Sequence, residues 1–309
     1  MNLKKVIFIV GPTASGKTDV AVEVAEQLDG EIISCDAMQV YKEIHLASNK
    51  PSKDILRRVK HHLIDVVSVT EEFDVARFNL LATAAIEDIL RRKKVPIVTG
   101  GSGMYMQILL DGIFEGAAKD EGIREALQAR IKAKGLVVLY QELQKVDPKA
   151  AAKINANDQQ RIIRALEIFQ IRSQPISGLQ PKRQGIWGKY DIQIFALSRE
   201  RKELYARVEE RVEEMFAKGI VKEVEKIQAL PLSPTAKRII GVPEVLGILR
   251  GEYPLDRAKY LMKLNTRHLA KRQVTWFKKE KRLEWIMLSS DVKVKDVVRN
   301  ILEKVGYAK

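Results

Sequence analysis

The chain has 309 residues, 46% of them hydrophobic and 30% charged, which is the balance of a globular protein with a substantial core. No apolar run reaches the roughly 18 residues that cross a bilayer, and the apolar start is too short for a signal peptide, so we expect a cytoplasmic protein without membrane association. The single cysteine, Cys35, excludes an intramolecular disulfide and a cysteine-based zinc site. The formal net charge of +14 favours polyphosphate or nucleic acid partners, with a generally basic proteome as the alternative explanation.

Short apolar runs alternate with helical patterns along most of the chain. Five runs rich in β-branched residues are predicted as strands: Val6–Val10, Glu31–Cys35, Val95–Thr99, Asp191–Leu197 and Leu283–Leu288. Three helices are predicted between them: Lys17–Leu28, Phe73–Arg92 and Met104–Leu110. This alternation predicts an α/β fold in which helices flank both faces of a parallel sheet.

A helical insertion interrupts the alternation. The stretch 117–177 contains several charged helical patterns and no convincing strand, and strand-bearing regions lie on both sides of it. We therefore predict a core made of residues 1–116 and 178–309, with residues 117–177 as an inserted helical domain. Within the core, the stretch 199–281 is predicted to be mostly helical.

The segment GPTASGKT, from Gly11 to Thr18, matches the phosphate-binding pattern G-x-x-x-x-G-K-[ST]. It follows an apolar strand directly and opens an amphipathic helix, which is the context that this motif requires. Backbone N–H groups and the positive end of the helix surround a phosphate, Lys17 neutralises its oxygens and the Thr18 hydroxyl binds Mg²⁺. The motif predicts a P-loop core rather than a plain glycine-rich turn, but it does not specify whose phosphates are held.

Two further loops follow predicted strands and should meet the P-loop at one edge of the sheet. Asp36 opens the first loop, and the second is the glycine-rich segment Gly100–Gly103, which carries Ser102. Ligands of open parallel sheets bind at the carboxyl ends of the strands, so we expect both loops and the phosphate cradle to share one crevice. The alternatives are that Asp36 is a helix cap or turn residue and that Gly100–Gly103 is a plain turn.

The strand before Gly100 ends in Thr-Gly-Gly, where nucleotide hydrolases and kinases place a Mg²⁺-binding Asp. Asp65 could replace that carboxylate, so a small-molecule or nucleotide kinase remains an alternative hypothesis. A non-catalytic, GTPase-like RNA-binding module is a third, although the sequence has no convincing Asn-Lys-x-Asp segment for guanine. The adjacent His61 and His62 are interpreted as turn or hydrogen-bonding residues rather than as a metal pair.

Six segments occur in this order: GPTASGKT, DAMQVY, HHLID, GGSGMY, NDQQRIIRALE and TRHLAKRQVTWF. Together they resemble the tRNA dimethylallyltransferase family over about residues 6–285. The resemblance implies a P-loop NTPase-like core that transfers a dimethylallyl group from dimethylallyl diphosphate to the exocyclic amine of the adenosine 3′ of the anticodon, releasing pyrophosphate. It also implies that the P-loop holds the prenyl diphosphate rather than ATP, that Mg²⁺ is the cofactor, and that the tRNA anticodon stem-loop is the partner.

The resemblance assigns a role to each matching residue. Asp36 matches the general base, and the residues assigned to catalysis are Asp36, Ser102, Arg124 and Lys17. Those assigned to the diphosphate are Gly11, Pro12, Thr13, Ala14, Ser15, Gly16, Lys17 and Thr18, with Thr18 also assigned to the metal. Those assigned to tRNA are Asp36, Ala37, Met38, Gln39, Ser102, Arg124, Gln160, Arg161, Ile162, Ile163, Arg164, Arg238, Gly241, Arg267, Lys271 and Arg272. For the segment 160–164, the alternative is a solvated helix capped by Asn157 or Asp158.

The chain departs from the family pattern at four places. Ser102 stands where Thr is usual, and the segments 45–51, 172–173 and 240–243 also differ. In the last of these, Val242 and Pro243 replace a Tyr-Lys pair in a segment that contacts tRNA. None of these changes touches the P-loop or Asp36, so we expect the activity to be retained.

A basic segment lies near the C-terminus, where residues 261–285 contain eight Lys or Arg and two Glu. Arg267 and Lys271 are four apart and share a helix face, while Ala270, Val274 and Phe277 form an apolar stripe on another. We expect one face to pack and the other to meet RNA phosphates, the alternative being a solvated charged helix. Because the RNA is itself a large partner, we expect the protein to be a monomer.

Overall fold

A computed structural model describes residues 3–113, 119–179, 184–289 and 291–307. The chain forms two compact units, one made of Met1–Leu109 with Trp187–Lys309 and the other of Leu110–Ile186. The first unit contains the sheet and the second is helical. The predicted insertion, 117–177, lies inside the second unit, which extends further at both ends. Its first two predicted residues, 117 and 118, fall outside the described ranges.

Six parallel strands form the sheet: β1 (Lys5–Val10), β2 (Gly30–Ser34), β3 (His61–His62), β4 (Val95–Gly100), β5 (Asp191–Arg199) and β6 (Glu284–Leu288). Their order across the sheet is β3-β2-β4-β1-β5-β6. The five predicted strands are present, with ends that differ by one or two residues, and the predicted α/β fold with a parallel sheet is confirmed. The strand β3 was not predicted, because two residues are too few to carry a strand pattern.

The register of the strands brings the loops of the site to one edge. Val10, the last residue of β1, lies opposite Gly100 of β4, and Ser34, the last residue of β2, lies opposite Thr99. The P-loop, the Asp36 loop and the Gly100–Gly103 loop therefore leave the sheet side by side. Residues 6–10 of β1 are all buried, as expected for a central strand that is covered on both faces.

The helices of the first unit are α1 (Lys17–Gln27), α2 (Lys53–Arg58), α3 (Val75–Arg91), α4 (Gly103–Asp111), α10 (Arg201–Ala217), α11 (Ile220–Ile227), α12 (Val242–Leu249), α13 (Leu255–Phe277) and α14 (Val294–Lys304), with a short 3-10 helix at Ala236–Arg238. The apolar faces of α1 and α14 pack with the sheet residues Ile7, Ile9 and Ile97 in one core. In α13, Ala270 and Phe277 of the predicted apolar stripe are fully buried.

The helices of the second unit are α5 (Glu121–Lys134), α6 (Leu136–Val146), α7 (Pro148–Ala151), α8 (Gln159–Arg172) and α9 (Ile176–Leu179). Leu127, Leu139 and Leu166 lie at the centre of its separate apolar core. The Asp158 carboxylate caps α8 by accepting the Arg161 N–H. In neither unit is a described helix both long and apolar enough to span a bilayer.

Candidate active site

The P-loop connects β1 to α1 and depends on glycines at both ends. A Cβ on Gly11 would lie 2.2 Å from the Leu197 carbonyl oxygen, so any side chain there would collide with β5. Gly16 precedes α1 with φ +91°, in the left-handed region that favours glycine. The loop therefore brings Lys17 and Thr18 to the first turn of the helix, where free N–H groups and the helix dipole favour an anion.

Three arginines that are remote in sequence donate hydrogen bonds to the P-loop. Arg211 donates to the Thr13 hydroxyl at 3.0 Å, Arg207 to the Ala14 carbonyl at 3.0 Å and Arg199 to the Ser15 carbonyl at 3.0 Å. Arg207 and Arg211 lie one turn apart on α10, and Arg199 ends β5. None of the three was predicted from the sequence; the available signal was the i, i+4 spacing of Arg207 and Arg211 on a single helix.

The Asp36 loop and the Gly100–Gly103 loop are bonded to each other. The Ser102 N–H donates to the Cys35 carbonyl at 3.2 Å, and the Ala37 N–H donates to the Ser102 hydroxyl at 3.1 Å. The Asp36 carboxylate accepts the Met38 N–H at 2.9 Å. Asp36 thus makes the contact expected of a turn residue. Its neighbours on both sides, Cys35 and Ala37, are bonded to Ser102.

Burial shifts the pKa values of both ionisable groups at the centre of the site. It raises the pKa of the Asp36 carboxyl, although the Met38 N–H and the Lys17 charge oppose the change. It lowers the pKa of Lys17 to about 8, with Arg211 acting in the same direction and Asp36 against it. Asp36 is therefore a stronger proton acceptor than an exposed carboxylate, and Lys17 loses its charge more easily than an ordinary lysine.

The segment 45–51, one of those that depart from the family pattern, is held by one carboxylate. Glu223 of α11 accepts the backbone N–H groups of His45, Leu46 and Ala47 at 2.8 to 3.0 Å. The loop continues to Asn49, whose carbonyl accepts from the Gln39 side chain at 3.1 Å. The Gln39 amide is thus held from the loop side, while its oxygen accepts from the Ser34 hydroxyl at 2.8 Å.

These elements surround a cavity of about 270 Å³ in the first unit. Its polar lining includes Thr13, Lys17, Thr18, Asp36, Ser102, Arg211, Arg238, Arg272 and Gln273. Its apolar lining includes Val212, Met215, Ile239, Ile240, Met262 and Leu269. The expectation that Asp36, Ser102 and the P-loop converge at one crevice therefore agrees with the structure. One cavity combines an anion-binding part, a carboxylate and an apolar wall.

The residues assigned to tRNA in the first unit occupy different environments. Arg238, Lys271 and Arg272 are exposed, and Arg238 and Arg272 also line the cavity. Arg267, in contrast, forms an ion pair with Glu209 of α10 at 2.8 Å and is only 27% exposed. The packing of α13 against α10 places Arg267 towards the neighbouring helix, which the helical period alone does not specify.

Gly241, which was assigned to tRNA, lies in a buried turn, and its tRNA contact stays a prediction. It is buried, with φ +107°, and its N–H donates to the Glu244 carboxylate at 2.7 Å. Its physical role is to form the turn that opens α12. The departures beside it suit that role, because Val242 is buried and Pro243 lies in the first turn, where a missing N–H costs nothing.

The segment 160–164 in α8, also assigned to tRNA, has side chains in two different environments, and its tRNA contact stays a prediction. Ile162 is fully buried and Ile163 is 6% exposed, and both pack in the core of the second unit. Their side chains cannot form an RNA-binding surface there, since the helical period turns them away from Gln160 and Arg161, which are exposed. The expected cap at Asp158 is present, as the solvated-helix alternative required.

Arg124 and Arg164 both bind the buried Glu167 carboxylate. Arg124 donates to it at 2.7 and 3.0 Å, and Arg164 donates at 2.6 Å. Burial raises the pKa of Glu167, but the two guanidinium groups outweigh it and the pKa falls to about 2. The arginines therefore stabilise α5 against α8, and the catalytic role of Arg124 stays a prediction.

The histidines and Asp65 make contacts within the protein, and His61 also lines the cavity. The His61 Nδ1–H donates to the Val59 carbonyl at 2.8 Å, and the His62 Nε2–H donates to Glu31 at 2.7 Å. Asp65 forms an ion pair with Lys50. Among the residues that the structure describes, no group of three or more His, Cys, Asp or Glu side chains is placed to hold a metal ion. The hydrogen bonds of the two histidines agree with the interpretation of them as hydrogen-bonding residues.

Comparison with known proteins adds independent findings. The family model described as IPP transferase matches residues 39–280. The chain is 43% identical over 284 residues to tRNA dimethylallyltransferase 2 of Geotalea uraniireducens, covering 91% of this chain and 92% of that protein. It is 39% identical to the tRNA dimethylallyltransferase of Acetivibrio thermocellus, covering 97% and 96% of the two chains.

Solved structures give the same result. The fold is similar to that of the full-length tRNA isopentenylpyrophosphate transferase from Bacillus halodurans, with a TM-score of 0.71, 34% identity and coverage of 99% and 97% of the two chains. It is also similar to a eukaryotic dimethylallyltransferase acting on tRNA, with a TM-score of 0.82, 28% identity and coverage of 99% and 80%. The chain therefore belongs to the IPP transferase family, the family of the tRNA dimethylallyltransferases.

Proposed function

We propose that this protein transfers the dimethylallyl group of dimethylallyl diphosphate to the exocyclic amine of the adenosine 3′ of the anticodon in tRNA, releasing pyrophosphate. The observation that carries the proposal is the single cavity that contains the P-loop, Asp36 and an apolar wall. The cavity fits each part of this reaction: an anion to be held, a proton to be accepted and a small hydrocarbon group to be covered. We further propose that the protein acts as a monomer.

The P-loop end of the cavity binds the diphosphate. The N–H groups at the start of α1 and the Lys17 ammonium face the anion, and the Arg211 guanidinium lines the same space. Met215, Met262 and Leu269 form an apolar wall on which a five-carbon prenyl group can lose its contact with water. The lining therefore fits a diphosphate that carries a small hydrocarbon group.

The Mg²⁺ ion is part of the same proposal. Thr18 lines the cavity, and Mg²⁺ in proteins keeps several waters and binds through substrate phosphates with one or two protein oxygens. The Thr18 hydroxyl fits this need without a dedicated cluster of carboxylates. When bound, the ion neutralises charge on the leaving diphosphate. Lys17 and Arg211 hold the same anion from the protein side.

Asp36 accepts the proton of the reacting amine. The lone pair of an adenine amine is delocalised into the ring, so the nitrogen needs a positioned base as it forms the new C–N bond. The adenine must also leave the stack of the anticodon loop, at a cost of a few kcal/mol that RNA contacts offset. The exposed cations Arg238, Lys271 and Arg272, with Gln160 and Arg161 of the second unit, are the proposed phosphate contacts.

The kinase alternative finds little support at this site. The loop after β4 contains Gly100–Gly103 where a kinase would place a metal-binding carboxylate. Asp65, the substitute that the sequence offered, is paired with Lys50. The two hypotheses differ in their use of ATP, and this difference determines the design of the test.

The direct test combines purified protein, Mg²⁺, dimethylallyl diphosphate and an anticodon stem-loop bearing the target adenosine. We expect mass spectrometry to detect RNA carrying one added dimethylallyl group, with pyrophosphate released and no ATP present. Changing the target adenosine to guanosine should abolish transfer, because guanine has a carbonyl oxygen where adenine has its exocyclic amine. Consumption of ATP without prenylated RNA from any tRNA tested would instead support the kinase.

The pH dependence of the reaction follows from Lys17. Its pKa of about 8 lies below the ordinary value of 10.5, so the free protein loses this charge above pH 8. Diphosphate capture requires the charge, and kcat/KM should therefore fall by about tenfold for each pH unit above 8. Burial raises the pKa of the Asp36 carboxyl above its ordinary value. On the acid side, kcat/KM should therefore begin to fall at a higher pH than it would for an exposed carboxylate, because protonated Asp36 cannot act as the base.

The matched control for the pH dependence is Lys17→Arg, which keeps its charge throughout this range. The ratio of kcat/KM between the wild-type protein and Lys17→Arg cancels the ionisation of the substrate itself. We expect the ratio to fall between pH 7.5 and 9.5. A constant ratio would mean that Lys17 stays charged in the free protein.

A further inference from the structure

Gln273 of α13 bonds to two loops of the site at once. Its side-chain oxygen accepts the Thr13 N–H at 2.8 Å, and its amide nitrogen donates to the Gly101 carbonyl at 3.0 Å. Thr13 belongs to the P-loop, and Gly101 belongs to the loop that carries Ser102. One amide therefore connects the loop that binds the diphosphate to the loop on the acceptor side.

The connection continues from Gly101 to the base. Ser102, the next residue, donates its N–H to the Cys35 carbonyl and accepts the Ala37 N–H with its hydroxyl. These two bonds hold the residues on either side of Asp36. The position of the Asp36 carboxylate relative to the P-loop thus depends on a short chain of contacts that runs through Gln273.

The helix α13 packs closely against the Gly100–Gly103 loop around this amide. A Cβ on Gly101 would lie 2.3 Å from the Gln273 amide nitrogen, and a Cβ on Gly103 would lie 2.1 Å from the Trp276 ring. Glycine at both positions lets α13 approach the loop directly. Gln273 also lies beside Arg272, and both line the cavity. The helix therefore contributes to the site through a close, specific contact.

We propose that Gln273 is a positioning residue that couples departure of the diphosphate to capture of the prenyl group by the amine. The inference rests on the proposed function. In the coupled reaction the C–O bond breaks, its electron pair leaves with pyrophosphate, the amine nitrogen bonds to carbon and its proton passes to Asp36. Water at the same carbon would give dimethylallyl alcohol, pyrophosphate and a proton. Alignment of the two loops decides between these outcomes.

The test replaces Gln273 with Met in the full chain, because Met has similar length and no amide. The measured quantities are kcat and the number of pyrophosphates released per prenylated RNA, with dimethylallyl diphosphate and an anticodon stem-loop as substrates. For the wild-type protein we expect a ratio near one. For Gln273→Met we expect kcat to fall by about 10- to 100-fold and the ratio to rise, with dimethylallyl alcohol as the additional product.

Two further variants sharpen the result. Gly101→Ala displaces the same amide from the opposite side, and Gly101 does not have a positive φ, so alanine is compatible with its backbone. It should raise the ratio as Gln273→Met does. Thr275→Ala is the control on the same helix, since this exposed hydroxyl bonds only to the Lys271 carbonyl of its own helix. It should leave both quantities unchanged.

The outcomes separate the two proposals. If the wild-type protein transfers no prenyl group, the proposed function fails and this inference fails with it. If the wild-type protein is active and Gln273→Met keeps its kcat, Gln273 is not a positioning residue. If kcat falls while the ratio stays near one, Gln273 supports the rate but does not couple the two steps, and the inference is overturned.

Discussion

Replacing Asp36 with Asn is expected to slow prenyl transfer by roughly 10²- to 10⁴-fold, the range typical of a lost general base. The amide oxygen of Asn can still accept the Met38 N–H, which the carboxylate accepts at 2.9 Å, so the turn of the loop is preserved. The substitution therefore removes the proton acceptor and keeps the turn, and it also removes the negative charge that helps to keep Lys17 protonated. Asp36→Ala would remove the proton acceptor and the contact to the Met38 N–H together, so it would not distinguish a base from a turn residue.

The measurements for Asp36→Asn are single-turnover transfer with saturating dimethylallyl diphosphate and the affinity for tRNA. The affinity should change by less than the rate, because the proton moves only during bond formation. Asp54→Asn is the matched control, since this carboxylate on α2 is 86% exposed and is not among the residues that line the cavity. An Asp36→Asn protein that retains most of its turnover would exclude Asp36 as the base.

The parts of the site that were predictable from sequence are those specified by local pattern. The P-loop is a contiguous motif between a strand and a helix, and its ends are fixed by Gly11 and Gly16. Asp36 and Ser102 were found because each follows a buried strand, and parallel strands end at a common edge. These inferences needed only the order of elements, and the order was correct.

The missing parts depend on contacts between distant positions. Gln273 bonds to Thr13 across 260 residues, and Arg211 does so across 198. No local period specifies which face of α10 or α13 meets the P-loop. The burial of Ile162 and Ile163 beside the exposed Arg161 was not foreseen for a related reason. A helix of 3.6 residues per turn places neighbouring residues on different faces, and a motif read as one unit does not separate them.

The ion pairs of the second unit illustrate the limit of assigning residues by resemblance. Arg124 and Arg164 are basic residues in matched positions, and sequence offers no way to see that both contact Glu167. Glu167 is fully buried and would be costly to leave without a cation. Each arginine therefore has a structural contribution that any test of an RNA or catalytic role must separate from function.

Arg211 is the second position where a large effect is expected. Burial and then the neighbouring Arg207 lower the pKa of its guanidinium, and the carboxylates of Glu214 and Asp19 oppose them through space. Its hydrogen bond goes to the neutral Thr13 hydroxyl. A desolvated cation of this kind, lining the cavity beside the P-loop, becomes favourable when a dianionic or trianionic group binds next to it.

Arg211→Met should therefore lower kcat/KM for the prenyl diphosphate by about 10- to 150-fold, because a hydrogen bond to a charged group contributes roughly 1.5–3 kcal/mol. The free protein should not lose thermal stability, since the variant removes a buried charge that Arg207 repels. Steady-state kinetics with dimethylallyl diphosphate, calorimetric titration with pyrophosphate and thermal unfolding measure the rate, the anion affinity and the stability separately. Arg250→Met, at a guanidinium that is 65% exposed, is the control and should change neither. Unchanged pyrophosphate affinity in Arg211→Met would mean that Arg211 only braces Thr13, whereas a loss of stability would mean that the guanidinium already has its partner in the free protein.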